Sequence, residues 1–127
     1  MVSEDEFGLE LLFLMKQQRN LYHQLRSLSE KQSQHSLTES PEIILQIITG
    51  RRKLIHKIRE IEEKLSPIKS NWSNIREKIH AAHKAELREM ANHIGESARD
   101  IRSFTSDIEA SLDLDQAEKM TEMFDER

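Results

Sequence analysis

Residues 40–55 read SPEIILQIITGRRKLI. Five Ile and Leu fall in six positions, Ile43 to Ile48, and Gly50-Arg51-Arg52-Lys53 follows. A buried strand ending at Gly50 would leave a basic loop, and with it a phosphate or nucleic-acid site. One end of a long helix would leave basic side chains facing water and no site. The residues beyond Gly50 decide between the two. Ile44, Ile47, Arg51, Leu54, Ile58, Ile61, Leu65 and Ile68 recur in alternating steps of three and four, the spacing of one helix face. The run also follows a helix start. Ser40 is a good N-cap, Pro41 suits the first helical position, and Glu42 lies at the positive end of the helix dipole. The spacing therefore predicts a helix over 41–66. Gly50 costs that helix about 1 kcal/mol relative to Ala; it either admits a close helix or only loosens the turn. Arg52 and Lys53 face water. Arg51 falls on the apolar stripe and is expected to carry its charge out along its aliphatic stem.

Working towards the N-terminus, Phe7, Leu11, Leu14, Leu21, Leu25 and Leu28 mark a heptad stripe, with Gln18 filling its gap and Gln32 at its next position. This predicts a helix over 4–36. The corner SLTESPE, 36–42, is short enough to force the two helices antiparallel. Positions whose numbers sum to about 76 then face one another. Ile47 meets Leu28, Leu54 meets Leu21 or Tyr22, Leu65 meets Leu11, and Ile58 meets Gln18, the one polar mismatch.

Working towards the C-terminus, Pro67 removes a backbone donor and disfavours helix at Ser66. The register nevertheless continues through Ile68, Trp72, Ile75 and Ile79, so a kinked helix and a true corner both remain open. A third helix follows over about 70–112, its stripe running through His83, Leu87, Met90, Ile94, Ser97, Ile101, Phe104, Ile108 and Leu112. It either folds back along the hairpin or projects from it. The tail, 113–127, is acidic and is either a short amphipathic helix or a disordered end. The expected architecture is all-α: an antiparallel hairpin of 4–36 and 41–66 plus a long third helix, in an up-down, coiled-coil-like bundle. Residues 1–112 form one domain and 113–127 its tail.

Composition agrees with this architecture. Of 127 residues, 33% are charged and 5% aromatic, with three Gly, two Pro and no Cys; chains of this kind form long helices or coiled coils. The start is acidic and broken by Glu10, unlike a signal peptide, and no apolar run approaches the roughly 18 residues of a membrane span. Net charge is −4 overall, but +3 over 41–70 and −6 over 107–127. A nucleic-acid domain is expected to be basic overall, and RRKLIHKIR (51–59) has no interleaved aromatics for base stacking, so no nucleic-acid partner is expected. Glu77 and His80 have Glu-x-x-His spacing, but a di-iron bundle needs two such motifs and two further Glu. His80 and His83 with Glu86 would be a weak set of ligands. No catalytic constellation, cofactor loop or metal site is read from the sequence, and no enzyme is expected.

Partner binding has better support. FGLELLFLM (7–15) is apolar nearly all round. A two-helix seam leaves Leu9, Leu12, Phe13 and Met15 needing cover from helix 3, a second copy or a client protein. Met120, Met123 and Phe124 in the tail suit an adaptable binding surface.

Residues 9–75 resemble the FlgN-type flagellar export chaperones. The likeness lies in the leucine heptads running into LYHQLRSLSEKQSQHSL (21–37), the polar corner TESPEIILQII (38–48), and GRRKLIHKIREIEEKLSP (50–67). The resemblance implies a cytoplasmic chaperone of flagellar type III secretion that holds the C-terminal helices of hook-filament junction proteins before export. It also implies a client site in the C-terminal half: Leu87, Met90, Ile94, Ile101, Phe104, Ile108 and Leu112, with Met120 and Phe124 of the tail. Monomer and homodimer both stay open. The competing expectation is a self-associating coiled-coil scaffold or regulator whose third helix pairs with itself.

Overall fold

A computed structural model of the chain describes the backbone of residues 4–35, 40–104 and 108–124, and side chains over 8–34, 40–104 and 114–124. Helix α1 spans Glu4–His35, α2 Pro41–Ser70, α3 Trp72–Ile75, α4 Ala81–Phe104 and α5 Ile108–Phe124, with a 3-10 turn over Arg76–Lys78. Among the described residues there is no strand, so the fold is an all-α bundle.

The stretch 43–48 is helical, and Ser40 begins it as expected. Its backbone is extended (φ −64°, ψ 152°) and its hydroxyl accepts from the Ile43 N–H at 3.4 Å. The helix ends later than Pro67 suggested, at Ser70. Pro67 lies near the final turn on an exposed face, where water can satisfy the carbonyl that loses its donor. The Asn71 N–H then closes on the carbonyls of Pro67 (3.3 Å) and Ile68 (3.2 Å).

The region expected to be one helix over about 70–112 is divided. Asn71 to His80 make a corner in which Ile79 is extended (φ −91°, ψ 132°). His80 restarts the helix, its Nδ1 accepting from the Ala82 N–H at 3.2 Å. Trp72 and Ile79 are both buried, so the corner closes one end of the core. A second division separates Phe104 from Ile108; residues 105–107 lie outside the described set. Much of the expected tail, up to Phe124, is the body of α5.

Three pairings set the topology. In α1 and α2, Gln18 Nε2 donates to the Ile58 carbonyl at 3.2 Å, the antiparallel pairing that the sum of 76 predicts. Gly50 lies under Leu28, where a Cβ would come within 3.1 Å of Leu28 Cδ1. The small residue therefore serves a close approach. Arg51 is buried rather than led out to water, because its Nη1 donates to Gln32 Oε1 at 2.8 Å. The two polar residues on the facing stripes thus meet near the corner, which keeps the guanidinium inside the seam. α4 runs parallel to α1: Gly8 lies against His83 at one end, and Arg26 Nε meets Asp100 Oδ2 at 2.7 Å towards the other. That hydrogen bond raises the pKa of the Arg26 guanidinium. α5 returns antiparallel on α4, and borders α2 more sparsely.

The core draws on all four long helices. Leu11, Met15, Tyr22, Leu25, Ile58, Leu65, Leu87, Ile94 and Ile101 are nearly or fully inaccessible. Each large aliphatic side chain so placed contributes roughly 1.5–3 kcal/mol. Leu12 and Met15, surplus to the two-helix seam, are buried in the assembled bundle, while Leu9 and Phe13 stay exposed.

Candidate functional site

The residues that the family resemblance assigned to a client lie on α4 and α5. Leu87, Met90, Ile94 and Ile101 form one buried stripe of α4, and Met120 and Phe124 are buried on α5. Phe104 is half-buried, with the Arg26 guanidinium carbon 6.0 Å from its ring centroid. Ile108 and Leu112 are in α5, but their side chains lie outside the described residues. α4 is thus enclosed from two directions: α1 packs along it, and α5 covers the side that carries Ala91 and Gly95.

Apolar residues at helical spacing do most of this. Leu114, Ala117, Met120 and Phe124 recur at steps of three, three and four and are all buried. On α4, small residues stand between the large ones: Ala91, Gly95 and Ala98 are fully buried. α5 comes close at Gly95, where a Cβ would sit 2.9 Å from Thr121 Oγ1. Thr121 also donates to the Ala91 carbonyl, at 3.4 Å. Sequence reasoning missed this groove of small residues. A stripe drawn through large side chains skips the Ala and Gly between them, although their spacing of four and three was there to be seen.

Two arginines of α4 hold α5, one at its middle and one at its end. Arg102 pairs with Asp115 and with Glu118, the latter at 3.1 Å from Nε to Oε1. Arg88 Nε donates to the Phe124 carbonyl at 3.0 Å, in the last turn of α5. A cation is favourable at a helix C-terminus, where carbonyls lack partners. The α4 groove thus meets carboxylates in the middle of its occupant and a carbonyl at its C-terminal end, a pattern that distinguishes the two directions of a helix. At the far end Trp72 stacks edge-on against Phe124, ring centroids 4.8 Å apart.

The remaining sequence candidates do not converge. The rings of His80 and His83 lie 6.1 Å apart. Among the described residues no three His, Cys, Asp or Glu are placed to hold a metal ion. Burial of Arg51 removes it from the basic cluster, leaving Arg52, Lys53 and Lys57 on the outer side of α2. Among the described residues no helix is long and apolar enough to cross a membrane. Comparison with protein-family models, with curated proteins and with solved structures finds no match in any of the three.

Proposed function

We propose that this chain is a cytoplasmic export chaperone that takes an amphipathic helix of a client, expected to be a hook-filament junction protein, onto the α4 stripe in place of α5. The observation that supports it is α5 itself. A helix of 17 residues lies along α4 on the side of Ala91 and Gly95, with four buried side chains, and borders α2 only sparsely. Helix-in-groove recognition reads apolar anchors at spacings of three and four, which is the pattern α5 presents. On this reading Leu87, Met90, Ile94 and Ile101 bind the client, and Arg88 and Arg102 orient it antiparallel to α4. Binding involves no bond-making chemistry. Self-association through α4 would require the same displacement of α5.

The test is calorimetric titration of the full chain with synthetic C-terminal helices of hook-filament junction proteins. Met120→Asp weakens the docking of α5 by placing a carboxylate in an apolar contact. If α5 competes with client, this variant binds at least about tenfold more tightly, because the fraction of open groove rises. Absence of binding by both the parent chain and the variant rejects the proposal.

A further inference from the structure

A second surface lies on the other flank of the molecule, independent of whether α5 leaves its groove. Leu9 and Phe13 are 56% and 61% exposed on α1. Lys16 and Asn20 are also exposed and continue the same line, at spacings of three and four. Beside them a groove of about 430 Å³ runs between α1 and α2. Half-buried Leu21 and buried Ile61 border it, with Gln17 and Asn20 on the α1 bank and Lys57 and Lys64 on the α2 bank. Lys16, Lys57 and Lys64 form no ion pair among the described residues. Glu60, the one carboxylate lining the groove, lies 2.7 Å from His56 Nε2.

We infer that this outer face of the α1–α2 hairpin is a docking surface for an acidic amphipathic helix of a partner protein. Charge complementarity selects the occupant. Three exposed lysines without carboxylate partners border the surface of a chain whose net charge is −4, so the local sign opposes that of the whole. A trough between two antiparallel helices accepts a third helix by ridge-in-groove packing. Leu9 to Leu21 spans about 18 Å, or roughly three turns of a partner lying alongside. Its apolar residues would cover Leu9, Phe13 and Leu21, and its carboxylates would meet Lys16, Lys57 and Lys64, setting register and association rate. An anionic bilayer is the less favoured occupant, because the lysines border a concave trough with only two strongly exposed apolar side chains beside it, whereas an interfacial helix presents a continuous apolar face.

The experiment titrates the isotope-labelled full chain with a synthetic 14-residue helix bearing Leu at spacings of three and four and Glu elsewhere, and follows amide shifts. A peptide with Lys replacing each Glu, and vesicles of phosphatidylcholine and phosphatidylserine, are run in parallel. The acidic peptide is expected to shift amides over 9–21 and 57–64. Phe13→Ser and the double variant Lys57→Glu with Lys64→Glu should each weaken it at least tenfold, with unchanged thermal melts because all three side chains are exposed. Equal binding of the basic peptide, shifts centred on α4 and α5, full affinity in the variants, no binding at all, or binding to vesicles without binding to the peptide would each overturn the inference.

Discussion

The α1–α2 and α4–α5 hairpins use the same antiparallel packing with different side chains. The first joins helices of 32 and 30 residues through large aliphatic residues, with Gln18 and the Gln32–Arg51 pair as its polar interruptions. The second lays 17 residues on 24, with Ala91 and Gly95 against Ala117 and Thr121, and with Arg102 and Arg88 pairing to the middle and the end of α5. Buried aliphatic area adds stability with little regard to direction. Close approach over small residues adds less area and more geometric selectivity. The first hairpin is accordingly the frame of the molecule. In the second, α5 is the helix that the proposed function exchanges for a client helix.

The hardest way to break this contrast is to charge the frame. Leu54 is buried in the first seam, and Leu54→Asp places a carboxylate there without a partner. A loss on the order of 4 kcal/mol is expected, a large fraction of the stability of a domain this size. Urea denaturation followed by circular dichroism should show the midpoint moved to much lower urea. A loss under about 1 kcal/mol would mean that the first seam is not the frame.

A gentler change separates the hairpins. Gly95→Leu drives a side chain into the space held by Thr121 Oγ1, costing about 1–3 kcal/mol by overpacking. Hydrogen exchange should show lost protection over 114–124 while α1 and α2 keep theirs. Uniform loss across all helices would make α5 part of one cooperative unit with the frame.

The smallest effect belongs to the polar mismatch. Gln18 is fully buried, donates to Ile58, and leaves its Oε1 without a hydrogen-bond partner. Gln18→Leu removes that orphan acceptor, and the Ile58 carbonyl keeps its place within α2. A change of about 1 kcal/mol or less, in the stabilising direction, is expected in the denaturation midpoint. A large destabilisation would show that the hydrogen bond fixes register.

The sequence foretold the frame better than the groove, for reasons that particular residues make plain. Ser40-Pro41-Glu42 announced a helix start, and two matched stripes announced the seam, because local capping and periodicity both act within a few residues. The pairing of Gln18 with Ile58 followed from the shortness of the corner alone. Arg51 was misplaced because its fate depends on Gln32, nineteen positions away. The splitting of the third helix was hidden because Trp72, Ile75 and Ile79 keep a helical spacing while serving as a plug at the end of the core. Leu87 to Ile101 were read as a stripe correctly, but periodicity says which side chains need cover and not which segment supplies it.

Trp72 gives the molecule a gauge of its own state. It is the sole tryptophan of the chain, buried and stacked on the last described residue of α5. Release of α5 would wet the indole, so its intrinsic emission should move to longer wavelength whenever the groove empties and return when α5 settles back, with no dye attached.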